Sequence, residues 1–219
     1  MSKEKKSGNT ARMIYQVDAT RDQILTAAQH LFIEKGLFQT QMKDVAEAGQ
    51  ISRASLYRYY QDKSDLALDV LTKVARRQFS IPEWERVLND SKSGLEKVEV
   101  YLRTMWLNPE KLDEYRFFAE FDAFFSGSRL PRNFLDRLRE IYPSETDKHF
   151  ITIIKQGQED GSIRQDLDPH LVMVTLTNAV RGLHQRLLLR GDALLEVRSR
   201  ELEQMTEELL KYCIRGISN

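Results

Sequence analysis

The segment from Thr40 to Leu66 constrains this chain more than any other, because it holds two short helix patterns joined by a very tight turn. Gln41 to Ala48 places Met42, Val45 and Ala46 on one face, Gly49-Gln50-Ile51 interrupts, and Ser52 stands as the N-cap of a helix running through Tyr60. Helices that cross this closely need a small residue at the crossing and an apolar anchor beneath the second helix. Ala46 and Leu56 meet those needs. With Leu56 inward, Arg53, Ala54, Ser55, Tyr57, Arg58 and Tyr59 form the outward face. Short side chains at the helix N-terminus allow close approach to base edges, while Arg and Tyr supply donors of longer reach, which suits a DNA groove.

The pattern extends on both sides. Thr20-Arg21-Asp22-Gln23 fits a capping box for a helix carrying Ile24, Leu25, Ala28, Leu31 and Phe32, with Gly36 at its end. Lys63-Ser64-Asp65-Leu66 opens a fourth helix reaching about Phe79. Residues 1–17, with Lys3, Lys5, Lys6 and Arg12 among Ser, Gly and Asn, read as a flexible basic arm. The net charge is zero, yet residues 1–80 hold 13 Lys/Arg against 9 Asp/Glu and residues 81–219 hold 20 against 24. A basic head on an acidic body points toward phosphates near the N-terminus.

The rest of the chain is helical as well. Pro82 and Asn89 to Gly94 break it, helices follow over Leu95 to Leu107 and from Pro109 to Ser126, and another starts at Pro131. Pro143 kinks or splits that helix before it reaches Glu159 and ends at Gly161. Asp168-Pro169, an N-cap followed by proline, starts a helix that stops at Gly191, and a last helix covers Leu194 to Ile214. With no alternating strand pattern, the expected fold is all-α: an N-terminal three-helix helix-turn-helix head joined to a larger helical body.

The runs Thr40-Gln41-Met42-Lys43-Asp44-Val45-Ala46-Glu47-Ala48, Ile51-Ser52-Arg53-Ala54-Ser55-Leu56-Tyr57-Arg58-Tyr59-Tyr60 and Asp62-Lys63-Ser64-Asp65-Leu66 closely resemble the DNA-binding head of tetracycline-repressor (TetR) type regulators. The resemblance covers about residues 18–66 and leaves 67–219 as an effector-binding and dimerisation domain. It implies phosphate contacts from Thr40, Ser52, Tyr57 and Lys63. It implies that Arg53, Ser55 and Tyr59 face the major groove, with Ala54 and Arg58 completing the DNA-facing set, and that Tyr60, at the family's usual Phe position, is core. One departure stands out: the turn has Gly49 then Gln50, where the family has its glycine at the second place. Positive φ is uncommon outside Gly, Asn and Asp, so the turn is expected to shift and let Gly49 adopt it.

The same resemblance implies a homodimer on a pseudo-palindromic double-stranded operator. It also implies a small-molecule effector and action as a repressor released by that effector. An activator, or a helical interaction protein without operator binding, are the competing readings. For the dimer interface the candidates are Leu171, Val174, Thr175, Ala179, Gly182, Leu202, Met205 and Leu209, a set that serves equally as an intramolecular core face. For an apolar effector pocket they are Trp106, Phe117, Phe121, Asp122, Phe125, Asn178, Arg181 and His184, from an aromatic-rich stretch and the helix expected to face it. Ordinary core packing is the alternative for each aromatic.

Other chemistries lack their residues. Cys213 is the only cysteine, so no intrachain disulfide is possible, and the four histidines have no metal-ligand spacing along a helix. There is no nucleotide-binding glycine loop, no signal peptide and no run of apolar residues long enough to span a bilayer. Neither catalysis nor a metal or other cofactor is expected, and the expected compartment is the cytoplasm.

Overall fold

The computed structural model describes the backbone of residues 3–78, 92–126, 134–141, 144–194 and 201–219, and the side chains of 18–76, 92–126, 134–140, 148–191, 193, 194, 201 and 204–219. Its α-helices are α1 (Lys3–Glu34), α2 (Met42–Ala48), α3 (Arg53–Tyr59), α4 (Lys63–Gln78), α5 (Gly94–Trp106), α6 (Leu112–Ser126), α7 (Phe134–Ile141), α8 (Ser144–Glu159), α9 (Pro169–Arg190) and α10 (Leu202–Ile217). Among the described residues the only extended pairing is an isolated antiparallel bridge, Ile163 with Ser218. None of the helices described is long and apolar enough to cross a membrane. The chain is all-α, with a helix-turn-helix head and a larger helical body. The proline breaks expected at Pro82, Pro131 and Pro143, and the start expected at Leu194 for the last helix, fall on or beside positions outside the described residues.

Helix starts follow local chemistry. Ser93 Oγ accepts from Glu96 N at 3.3 Å while the Glu96 carboxylate accepts from Ser93 N at 3.0 Å, closing a capping box on α5. Asp168 Oδ1 accepts from Leu171 N at 2.7 Å, with Pro169 opening α9 as expected. α1 departs from expectation. It runs continuously from Lys3, so Thr20 lies inside the helix and not at its start, and residues 3–17 are helical in place of a flexible arm. The physical reason is that this stretch has no proline, and Gly8 alone is too weak a breaker to end a helix.

The chain divides into two compact units. The first comprises Met1–Lys73 with Glu120–Pro131, so the second half of α6 belongs with the head. Its core is Ile24, Ala28, Phe32, Leu37, Val45, Leu56 and Leu66, all essentially without exposed surface. The second unit, Val74–Ala119 with Arg132–Asn219, is built on Val98, Leu102, Phe150, Ile153, Ile154, Val180 and Leu210. Tyr101 stacks on Phe150 at 4.0 Å within it. α5 and α8 approach so closely there that a Cβ on Gly94 would lie 2.1 Å from the Gly157 nitrogen, a spacing only glycine permits.

Candidate functional site

The helix-turn-helix is assembled from α2, α3 and the turn between them. Ala46, 2% exposed, sits at the crossing, and Leu56, fully buried, anchors α3. The turn is a Schellman motif: Ile51 N donates to Ala46 O at 2.9 Å and Gln50 N to Glu47 O at 3.0 Å. Its left-handed residue is Gln50, with φ of 50°, while Gly49 has φ −81° and ψ 3°. The expectation that Gly49 would take the positive φ is therefore overturned. Gly49 keeps a negative φ as the C-cap of α2, with its N–H bonded to Val45 O at 2.8 Å. Gly49 is buried, a Cβ on it would meet Val45 O at 3.0 Å and the Ala27 methyl at 3.7 Å, and Gln23 Nε2 donates to its carbonyl at 2.9 Å. The methyl of Ala27 is at ordinary contact distance, and exposed Gln50 carries the left-handed angle one residue further on.

α3 begins at Ser52, whose Oγ accepts from Ser55 N at 3.0 Å. The Ser52 hydroxyl donates to Ser55 Oγ, which also accepts from Arg58 Nη2 at 3.2 Å. Arg53, Ala54 and Arg58 are exposed, Tyr57 is 55% exposed, and Ser55 and Tyr59 are half-buried. The outward face thus carries hydroxyls and two guanidinium groups above a fixed apolar anchor.

Tyr60 is core, as expected, at 3% exposure, but its hydroxyl has a task that phenylalanine lacks. It donates to Asp69 Oδ2 at 3.0 Å and accepts from Arg21 Nε at 3.4 Å, and Arg21 also pairs with Asp69. Burial first, with the Asp69 carboxylate adding to it, pushes the phenol up to about 12, against the downward pull of Arg21. This cluster ties the end of α3 to α1 and α4.

Two residues expected at phosphates are placed differently. Thr40 is fully buried, and its hydroxyl lies 2.9 Å from Gly36 O and 3.2 Å from Leu31 O. The carbonyls at the end of α1 claim it, so its side chain faces inward. Lys63 Nζ donates to Leu37 O at 2.6 Å, Thr40 O at 2.9 Å and Phe38 O at 3.0 Å, which uses all three ammonium protons. It also lies 5.1 Å from the Phe124 ring centre, and burial pulls its pKa below the usual lysine value. Lys63 is a clamp on the α1–α2 turn. Glu120 Oε2 accepts from Leu37 N at 3.0 Å in the same turn, and Phe38, 60% exposed, meets Phe124 edge-on at 5.0 Å.

In the body, a cavity of about 530 Å³ is lined by Leu107, Asn108, Pro109, Leu112, Tyr115, His184, Leu187, Leu188, Thr206 and Glu207. A second, of about 10 Å³, is lined by Trp106, Tyr115, Phe118, Arg181, His184, Gln185 and Leu188. Of the expected pocket residues the structure brings Trp106, Arg181 and His184 together, and the others line neither cavity. Phe117 is fully buried core, and Phe121 and Phe125 pack on each other at 4.6 Å in the first unit, which also holds half-buried Asp122. Asn178 is exposed, its amide bonded to Val174 O at 2.7 Å, so it faces outward.

The expected interface residues on α9 do form an exposed stripe. Leu171 is 64% exposed, Val174, Thr175 and Gly182 are exposed, and Ala179 is half-buried. A Cβ on Gly182 would meet nothing within 4 Å. On α10, Met205 and Leu209 are half-buried, and the side chain of Leu202 lies outside the described residues. Tyr212 on α10 and Leu189 on α9 are exposed as well.

Residues 24–70 match the family model for bacterial regulatory proteins of the tetR family. The chain is 27% identical over 157 residues to the HTH-type transcriptional repressor KstR2 of Mycolicibacterium smegmatis, covering 72% of this chain and 74% of that protein. Among solved structures, a transcriptional regulator from Saccharomonospora viridis in complex with choline is similar at a TM-score of 0.70 and 19% identity, covering 92% of this chain and 99% of that one. FadR from Bacillus subtilis in complex with stearoyl-CoA is similar at 0.64 and 16%, covering 89% and 98%. A helix-turn-helix with an exposed Arg- and Tyr-bearing second helix, matched over residues 24–70, marks the chain as a DNA-binding transcriptional regulator whose head is similar to that of tetR-family proteins.

Proposed function

We propose that the chain acts in the cytoplasm as a homodimeric repressor, placing α3 of each protomer in successive major grooves of a pseudo-palindromic operator and releasing it when a small, largely apolar molecule occupies the body. The observation that carries this reading is the outward face of α3. Arg53, Ala54, Tyr57 and Arg58 stand exposed over buried Leu56 on a helix capped by Ser52. In this reading Ser52 and Tyr57 anchor phosphates, while Arg53, Ser55 and Tyr59 face base edges. Thr40 and Lys63 act indirectly, by holding the turn that aims the unit.

Dimerisation is supported by the outward stripe of α9, where Leu171, Val174, Thr175 and Gly182 present apolar and small surface that a monomer would leave in water. Paired with α10 and their copies, these helices make a four-helix interface, and the two-fold axis matches two operator half-sites. Repression is supported by the similarity to the transcriptional repressor KstR2 of Mycolicibacterium smegmatis. Effector binding is supported by the 530 Å³ cavity, which is of ligand size, and by choline and stearoyl-CoA in the two solved relatives. Release is then a shift in population between DNA-competent and incompetent dimers. α4 and α6, which carry residues of both units, are its covalent routes.

A gel shift with duplex fragments flanking the protein's own gene, run across a salt series, tests the reading. A sequence-preferring complex whose affinity falls steeply with salt is expected. A folded dimer that shows no sequence preference at low salt would contradict it.

A further inference from the structure

The effector reading leaves the chemistry of the effector open, and the cavity walls narrow it. Trp106 is 6% exposed, lines the smaller cavity, and its Nε1 is buried without a hydrogen-bond acceptor. An indole N–H is a donor only, so it calls for an acceptor. His184 lies on the same wall. Its Nδ1 is 2.5 Å from Trp106 O, and a carbonyl only accepts, so Nδ1 carries the proton and Nε2 of the neutral ring is an acceptor. Tyr115, His184 and Leu188 line both cavities, so the smaller one adjoins the larger at the His184 wall.

The remaining lining defines the rest of the molecule. Leu107, Leu112, Leu187 and Leu188 supply apolar walls. Glu207 is the carboxylate of the larger cavity, and Arg103 Nη1 already holds both its oxygens, at 2.7 and 2.9 Å. A cationic ligand group would meet Arg181, whose guanidinium lies 5.5 Å over the Trp106 ring, and would offer Trp106 no acceptor. A carboxylate would be drawn to Arg181 but would bring no proton to His184 Nε2 and would set its charge against that lone pair. A hydroxyl accepts from Trp106 and donates to His184 at once.

We infer, resting on the effector reading, that the body cavity selects a neutral, mainly apolar molecule with a hydroxyl group, read by Trp106 Nε1 as donor and His184 Nε2 as acceptor. A site of this size has room for one water that would make the same two bonds. Exchange of that water for a ligand hydroxyl keeps both, whereas an apolar end group loses them.

Isothermal titration calorimetry of the full chain with 1-octanol, 1-methoxyoctane and octanoate tests this. The alcohol should bind at least about tenfold more tightly than the ether, which cannot donate, and more tightly than the carboxylate. His184→Leu should erase the preference of alcohol over ether. Trp106→Phe should weaken both alike and keep their ratio, and such ratios within one variant are independent of its folding stability. Equal binding of alcohol and ether, or octanoate binding best, overturns hydroxyl recognition while leaving the cavity a ligand site. Absence of binding by all three at millimolar concentration overturns both. Tight, hydroxyl-selective binding that leaves operator affinity unchanged upholds the recognition and refutes the release mechanism.

Discussion

Gln50→Gly should stabilise the protein, although it removes a side chain and places two glycines in succession. Gln50 holds φ at 50°, a left-handed conformation that costs a residue with a Cβ roughly 1–2 kcal/mol. Its side chain is exposed, so little packing is lost. Glycine raises the entropy of the unfolded chain, which takes back about 0.4–1 kcal/mol. The net gain is about 0.5–1 kcal/mol, or a few degrees in Tm for a chain of this length. Gly49→Ala should do the reverse. Its backbone angles suit alanine, but the new methyl would sit 3.0 Å from Val45 O, an overpacking worth about 1 kcal/mol. Urea denaturation followed by circular dichroism, at one fixed protomer concentration, measures both. A lower midpoint for Gln50→Gly, or an unchanged one for Gly49→Ala, would refute the account of this turn.

Lys63→Met should destabilise the head by about 2–3 kcal/mol, since it strands three carbonyls of the α1–α2 turn, and hydrogen exchange at Leu37 and Thr40 should report the loosening. The Tyr60 phenol, at about 12 when folded against an unfolded value near 10, binds its proton more tightly in the native state. Its contribution is therefore complete below pH 10 and lost between pH 10 and 12, on the order of 2–3 kcal/mol, and an alkaline denaturation series should show a decline there that Tyr60→Phe lacks. Tyr57→Phe should weaken binding uniformly across DNA sequences, and Arg53→Ala should change which sequences are preferred, both measurable by fluorescence anisotropy on a panel of duplexes. Leu171→Glu should shift the protein toward monomer in sedimentation velocity, because that residue is 64% exposed on the proposed interface.

Much of the head was legible because its signals are local. Ser52 as cap, Leu56 as anchor and Asp168-Pro169 as a helix start depend on neighbours a few residues away, and each is found where expected. The side chains of Thr40 and Lys63 point to the α1–α2 turn because a hydroxyl or ammonium is satisfied by whichever acceptors the fold brings near. The carbonyls of Leu31, Gly36, Leu37 and Phe38 gather only once the turn after α1 has closed. The α2–α3 turn shows the same limit, since the left-handed angle falls on Gln50 only once the Schellman bonds of Gln50 and Ile51 have closed. In the body, Arg181, His184 and Leu188 recur at helical spacing on one face of α9, whereas Asn178 shares the outward stripe with Val174 and Gly182. The cavity draws on residues 106–118, 181–188 and 206–207, and no local pattern links those segments.

The central claim is that two copies of the α3 face read two DNA half-sites, and selection from a random-sequence duplex library by the purified full-length protein tests it most directly. The account predicts enrichment of a two-fold symmetric motif whose half-site centres are separated by about one helical turn or a multiple of it. Arg53→Ala protein should enrich a different consensus at matching positions in both halves. Recovery of unenriched sequence by a folded protein, or of a motif that Arg53→Ala leaves unaltered, would contradict it.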